Sequence, residues 1–313
     1  MITEQRTNKQ LEQKINALGR QVGNTPMHNF SYLLPGHKPV TLLAKKEWKQ
    51  LSGSIKARAA YNIIKQAIAT GKLHEHRTLL DATSGNTGIA YATIAQAIGL
   101  KVTLCLPENA SAERKAILTR LGANIVYTSK FEGTDGAQQT ALHLAETEPG
   151  KYFYADQYKN NNNWKAHYYG TAPEIIEQAP GITHFIAGLG TTGTFTGTAR
   201  RLKLLKPGIT TVSLQPSSAL HGLEGWKHLE TAIVPAFHDP TLANHTLEVH
   251  TQDAWNIIKR VKEAEGLLLS PSSAANLAGA LQLSEQINSG TIVTVLPDNA
   301  DKYAEVIKKI FPV

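Results

Sequence analysis

In the stretch SGSIKARAA, residues 52–60, a lysine stands where helices ordinarily place acids or neutral caps. Apolar residues at Ile55, Ala59, Ala60, Ile63, Ile64, Ala67 and Ile68 recur with near-helical spacing, and Ser52 and Ser54 occupy positions suited to an N-cap. Lys56 therefore falls in the first turn of an amphipathic helix, where the dipole is positive and an ammonium is disfavoured. A solvated surface lysine satisfies this pattern, and so does an amine kept neutral for imine chemistry. The lysine alone does not separate the two readings.

Two glycine-rich loops bear on the choice. TSGNTG, residues 83–88, follows the apolar run TLLDA, and GLGTTGT, residues 188–194, follows THFIA. Each leads from a strand pattern into a helical one, the place where open α/β sheets bind ligands. Gly188, Gly190 and Gly193 of the second loop match G-x-G-x-x-G, yet no Asp or Glu occurs from Gly188 to Leu223 to hold a ribose. An NADP-dependent oxidoreductase could substitute Arg200 or Arg201, so that reading is weakened and stays open. The hydroxyls of Thr191, Thr192 and Thr194 with the amides of Gly190 and Gly193 suit one phosphate group. The first loop carries Thr83, Ser84, Asn86 and Thr87, all uncharged. A helix cap needs one such residue; four suit a carboxylate.

A lysine amine, a monophosphate cradle and a neutral carboxylate loop are the parts of a pyridoxal phosphate enzyme acting on an amino acid.

The elements that must position these groups alternate along the chain. Strand patterns fall at 41–48, 78–83, 101–107, 123–128, 183–189, 211–216 and 291–297. Helical patterns fall at roughly 8–18, 55–70, 87–98, 111–121, 134–147, 194–206, 252–265 and 274–288. Short apolar strands alternating with helices predict parallel sheets covered on both faces. The Asn-rich segment QYKNNNNWKAH, 157–167, reads as a loop, with a domain boundary near residue 155.

Composition narrows the field. The 313 residues are 42% hydrophobic and 18% charged, as in a globular enzyme, with a net charge of +7. The cations are scattered without interleaved aromatics, which predicts attraction for anionic metabolites and no nucleic-acid partner. A single cysteine, Cys105, sits in an apolar strand and excludes a disulfide framework and a Cys-based zinc site. The histidines lack metal-site spacing, so no metal is expected. No apolar signal core or membrane-length run occurs, which predicts a cytoplasmic protein without a membrane partner.

From VGNTPM (22–27) to DNADKY (298–303) the chain resembles the cysteine synthase family of fold-type II pyridoxal phosphate enzymes, its B-type (O-acetylserine sulfhydrylase B) branch above all. SGSIKAR is similar to the family's Schiff-base segment, TSGNTG to its substrate loop and GTTGT to its phosphate loop. ADQY (155–158), AHYYGTAPEI (166–175) and SPSSAA (270–275) are similar to three further active-site segments. The resemblance implies two doubly wound α/β domains with an interdomain cleft, like the tryptophan synthase β chain. The smaller domain would span 41–155 with part of 1–18, and the larger 19–40 plus 156–313. It implies that Lys56 holds pyridoxal 5'-phosphate as an imine and moves the substrate's α-proton. Gly190, Thr191, Thr192, Gly193 and Thr194 would bind the phosphate, Asn86 the ring oxygen and Ser272 the ring nitrogen. Thr83, Ser84, Thr87 and Gln157 would grip the substrate carboxylate.

The implied activity is β-replacement on O-acetylserine or O-phosphoserine through an aminoacrylate, with sulfide or thiosulfate giving cysteine or S-sulfocysteine. The implied partners are these small molecules and a second copy of the chain, as a homodimer. A β-replacement forming another amino acid, a serine/threonine dehydratase and a catalytically silent binding partner are the alternatives. A hydroxyl at Ser272 cannot hold the ring nitrogen protonated as an aspartate would, which makes the ring a weaker electron sink. The chain departs from the family at Gln50-Leu51 and Ala274, and at Glu224-Gly225, where B-type enzymes pair arginines. Losing those cations disfavours an anionic nucleophile such as thiosulfate.

Overall fold

The computed structural model describes residues 2–36, 38–83 and 85–312. Its strands are β1 (Met27–Asn29), β2 (Val40–Lys46), β3 (Thr78–Ala82), β4 (Val102–Pro107), β5 (Asn124–Thr128), β6 (Tyr152–Tyr154), β7 (His184–Gly188), β8 (Thr210–Pro216), β9 (His245–Val249) and β10 (Gly290–Leu296). Its α-helices are α1 (Ile2–Leu18), α2 (Lys56–Ala69), α3 (Asn86–Ile98), α4 (Ala112–Arg120), α5 (Gly133–Thr147), α6 (Asn162–Ala166), α7 (Ala172–Gln178), α8 (Gly193–Leu205), α9 (Thr251–Glu265), α10 (Pro271–Gln286) and α11 (Ala304–Ile310).

Contacts divide the chain into two compact units. The first holds Met1–Gly23, Gln50–Ser52 and Lys56–Asn163. Its sheet runs β5-β4-β3-β6, parallel throughout. Successive strand residues point to opposite faces, and both faces are apolar. Leu79, Leu104 and Leu106 pack with Leu11, Ile15, Ile64, Ile68 and Ile94 from α1, α2 and α3. Leu80, Ala82 and Cys105 pack with Ala137 and Ala141 of α5.

The second unit holds Asn24–Lys49, Gly53–Ile55 and Trp164–Val313 around the sheet β1-β2-β10-β7-β8-β9. Only the β1 pairing is antiparallel among its described strands. Ile186, Val212, Leu214 and Ile292 pack against Ile258, Val261, Leu277 and Leu283 of α9 and α10. Phe185, Ala187, Val293 and Val295 pack against Ile175, Phe195 and Leu202 of α7 and α8. Both units are α/β layers with helices on each face, the fold class expected.

The unit boundaries differ from those read in the sequence. The strand expected at 41–48 as the start of the smaller domain is β2, and it belongs to the six-stranded sheet. Gly290 to Leu296 of β10 pair with Val40 to Lys46 in parallel register, a contact that local periodicity cannot reveal. The second crossing lies between Asn163 and Trp164 instead of near 155. The Asn-rich segment is a loop only up to α6, which continues through a π-turn at His167–Thr171 into α7.

The turn VGNTPM acquires a physical role in the second unit. Thr25 donates its hydroxyl proton to Glu47 Oε1 at 2.6 Å, and its carbonyl accepts from Lys45 Nζ at 2.8 Å and Gln178 Nε2 at 3.0 Å. Lys45 is fully buried and pairs with Glu174 at 2.9 Å. Removing one partner of a buried pair strands the other charge. Lys45→Met is expected to cost about 3–5 kcal/mol, read as a lowered denaturant midpoint, and Lys45→Met with Glu174→Leu to regain most of it. A single-variant loss below about 1 kcal/mol would contradict this account of the pair.

Candidate active site

Strand β3 ends at Ala82 and α3 begins at Asn86, so the substrate-loop candidates occupy one turn between them. Thr83 is buried, and its Oγ accepts the N–H groups of Gly85 at 3.1 Å and Gly88 at 3.2 Å. Those bonds use the hydroxyl's lone pairs as a helix cap and leave its proton to donate. A Cβ on Gly88 would lie 2.6 Å from Thr83 Cγ2, so only glycine lets the loop close onto the helix.

Strand β6 runs parallel to β3 and delivers Gln157 to the same sheet edge. Thr87 donates to Gln157 Oε1 at 2.7 Å, Gln157 Nε2 donates to the Ala82 carbonyl at 2.7 Å, and Asn163 Nδ2 donates to the Gln157 carbonyl at 2.7 Å. Thr83, Asn86, Thr87 and Gln157 are therefore gathered in the first unit; Ser84 lies outside the described residues. The first turn of α3 contains no acid. Hydroxyls, amides and a helix N-terminus can hold a carboxylate without a counter-charge of their own. Sequence reading missed Arg114. This buried residue of α4 places Nε 3.0 Å from where a Gly85 Cβ would stand, bringing a guanidinium under the loop.

Lys56 is the first residue of α2 and is half-buried. The peptide before it is tied down in the second unit, where Ile55 N–H donates to the Pro297 carbonyl at 2.8 Å and Lys302 Nζ to the Gly53 carbonyl at 3.1 Å. The expected serine cap is not formed, since the hydroxyls of Ser52 and Ser54 are buried without a hydrogen-bond partner. The chain is directed into α2 by these tertiary bonds instead.

In the second unit β7 ends at Gly188 and α8 begins at Gly193. Thr192 precedes the helix with φ of 65°, a left-handed conformation rare for a β-branched residue. Its hydroxyl is buried and has no hydrogen-bond partner. Such an orphan costs about 1–3 kcal/mol unless a ligand oxygen satisfies it. A Cβ on Gly190 would meet the Gly225 carbonyl at 2.1 Å and one on Gly188 would meet the Trp226 ring at 2.1 Å. Lys227 N–H donates to the Leu189 carbonyl at 2.7 Å, so residues 225–227 strap the loop.

Further bonds hold the loop. Asn276 Oδ1 accepts from Gly188 N–H at 2.8 Å, and Thr194 Oγ1 lies 3.3 Å from Nε2 of buried His167. With no acid in the first turn of α8, the loop from Gly190 to Thr194 fits a phosphate. Asn276 and His167 are supports that spacing did not single out; His167 could be found only through the AHYYG segment.

Ser272 lies in the first turn of α10, one turn before Asn276. Its Oγ is 3.2 Å from Ser270 Oγ and 3.5 Å from Oδ1 of fully buried Asp298. Such a hydroxyl can bond a ring nitrogen. Cys105 is buried, and burial beside Asp81 pushes its thiol up to about 12, so it is an inert core residue.

Beneath the substrate loop Asp81 Oδ1 accepts from Ala82 N–H at 2.8 Å and Oδ2 from Gln157 N–H at 3.3 Å. Burial pushes this carboxyl up to about 8, the hydrogen bonds pulling it down by less. The folded state therefore holds a proton that the unfolded chain releases near pH 4, and this stability falls as pH rises toward about 8. Denaturant midpoints between pH 5 and 8.5 should drop at up to about 1.4 kcal/mol per pH unit, with a flatter profile in Asp81→Asn. Equal slopes in both proteins would contradict the assignment.

A family model for pyridoxal-phosphate dependent enzymes matches residues 18–298. The cysteine synthase of Aquifex aeolicus is 42% identical over 289 residues, covering 90% of this chain and 88% of that one. Cysteine synthase B of Pseudomonas aeruginosa is 39% identical over 285 residues, covering 90% and 93%. The crystal structure of O-acetylserine dependent cystathionine beta-synthase from Helicobacter pylori superposes with a TM-score of 0.85 at 30% identity, covering 92% of this chain and 96% of that one. Together with a loop shaped for phosphate and a helix-leading lysine, these likenesses place the chain among the pyridoxal-phosphate dependent enzymes, in their cysteine synthase group.

Proposed function

We propose that this enzyme replaces the β-substituent of an O-activated L-serine, O-acetylserine foremost, using sulfide to form L-cysteine. The observation that carries the reading is that one unit holds both Lys56 and the neutral loop tied to Gln157, and that the other unit's glycine-rich loop carries a buried Thr192 hydroxyl with no hydrogen-bond partner. When bound, pyridoxal phosphate supplies an electron sink for negative charge at the amino acid's Cα.

The chain's residues do the rest. Lys56 Nζ would supply the amine that holds the cofactor and the base that takes the Cα proton. Residues Gly190 to Thr194 would hold the phosphate, Asn86 the ring oxygen and Ser272 the ring nitrogen. The Thr83 hydroxyl and the second Nε2 proton of Gln157 remain to donate to a substrate carboxylate. The Thr87 hydroxyl must turn from Gln157 Oε1 to join them.

The nucleophile follows from the strap over the phosphate loop. Glu224 and Gly225 occupy the positions where B-type enzymes pair arginines, so this segment lacks the two cations that would attract an anionic sulfur donor. Sulfide in its neutral form needs no such attraction; thiosulfate does. The same reading takes the protein as a cytoplasmic homodimer, the resemblance carrying the dimer and a lone buried cysteine suiting a reducing compartment.

Initial rates with O-acetylserine and with O-phosphoserine, each paired with sulfide or thiosulfate, test this directly. Cysteine should form with kcat/KM for sulfide roughly 100-fold above thiosulfate, and Glu224→Arg should narrow the gap about tenfold. Equal use of both nucleophiles, or release of ammonia and pyruvate in place of cysteine, would overturn it.

A further inference from the structure

The chain leaves β6 at Tyr154 and must turn sharply to present Gln157. Ala155 N–H still donates to the Leu80 carbonyl at 2.8 Å, which keeps the backbone on β3 to that point. Asp156 then takes φ of 46°, a left-handed conformation uncommon for a residue with a side chain. The Asn160 N–H closes the turn on the Asp156 carbonyl at 2.8 Å. Its outcome is that the Gln157 N–H points back at Oδ2 of Asp81, 3.3 Å away.

Two consecutive residues of β3 therefore grip Gln157 at both ends. Asp81 holds its backbone N–H, and the Ala82 carbonyl holds its Nε2 at 2.7 Å. Asp81 also fixes Ala82, whose N–H reaches Oδ1 at 2.8 Å, so one carboxyl stands behind both grips. Asp81 and Ala82 are fully buried and Gln157 nearly so, which leaves no solvent to replace a lost acceptor. A carboxyl turns an oxygen to each N–H whether or not it carries a proton, since both oxygens keep lone pairs. An amide has one oxygen and one NH2, so one of the two N–H groups would face another donor.

We infer that Asp81 is a positioning residue that sets Gln157 and, through it, the substrate carboxylate. This rests on the assignment of Gln157 to that carboxylate proposed above. Gln157 can aim its second Nε2 proton at a ligand only while its bonds to Ala82 and Thr87 hold the amide plane. Asp81 acts from behind, fixing the backbone from which that amide extends.

Initial rates of the pyridoxal-phosphate-loaded protein with O-acetylserine and sulfide separate this role from a merely structural one. Asp81→Asn should raise KM for O-acetylserine about tenfold, the effect of roughly one buried hydrogen bond, with kcat and the KM for sulfide nearly unchanged. Gln157→Ala should raise the same KM. Adding Asp81→Asn to it should change KM by less than about twofold, because the group being positioned is gone. Asp81→Glu keeps both oxygens on a longer arm and carries the test if the Asn variant does not fold; its loss too should vanish in the Gln157→Ala background. An unmoved KM in a folded Asp81 variant, or equal losses with and without Gln157, would overturn the inference alone. A loaded wild-type protein that makes no cysteine would overturn the functional reading and this inference together.

Discussion

Parallel strands deliver their loops to one edge of a sheet, and that constraint governs both halves of this chain. A strand ending there must turn into a helix whose first N–H groups have no partner. The loops at 83–88 and 188–194 meet this demand with glycines and hydroxyls instead of acids. Thr83 spends its lone pairs on two such N–H groups, whereas Thr192 keeps its buried hydroxyl unspent. One loop is capped from within.

Charge is placed around these loops with similar economy. The substrate loop itself is neutral, but Arg114 lies under Gly85 and the Asp81 carboxyl beneath it is raised by burial toward the protonated form. The same carboxyl fixes Gln157 by accepting its backbone N–H. In the second unit the strap at 225–227 leaves no room for a side chain on Gly188 or Gly190.

What could be read from the sequence divides along the range of the interactions involved. The apolar cores of β3, β4, β7, β8 and β10, and the helices opening at Lys56, Asn86 and Gly193, were legible because period and loop chemistry agree locally. Strands β1, β6 and β9 were not, being short or half-exposed, with little apolar pattern of their own. The place of β2 depended on pairing with β10 some 250 residues away, and no local signal records that. The serine cap before α2 failed for the same reason: bonds from Pro297 and Lys302 outrank it. Arg114 was invisible because its meaning lies in the loop it stands behind. The helix opening at Lys56 and the two strand-to-helix loops could be placed in advance; the charged groups packed beneath them could not.

The claim on which the rest turns is that the amine at residue 56 holds pyridoxal phosphate. Borohydride reduction of the cofactor-loaded protein followed by peptide mass mapping tests it most directly. The account predicts one pyridoxyl-phosphate increment, on the peptide carrying Lys56, and its loss in Lys56→Ala. An increment on a different lysine, or none on a loaded wild-type chain, would contradict it.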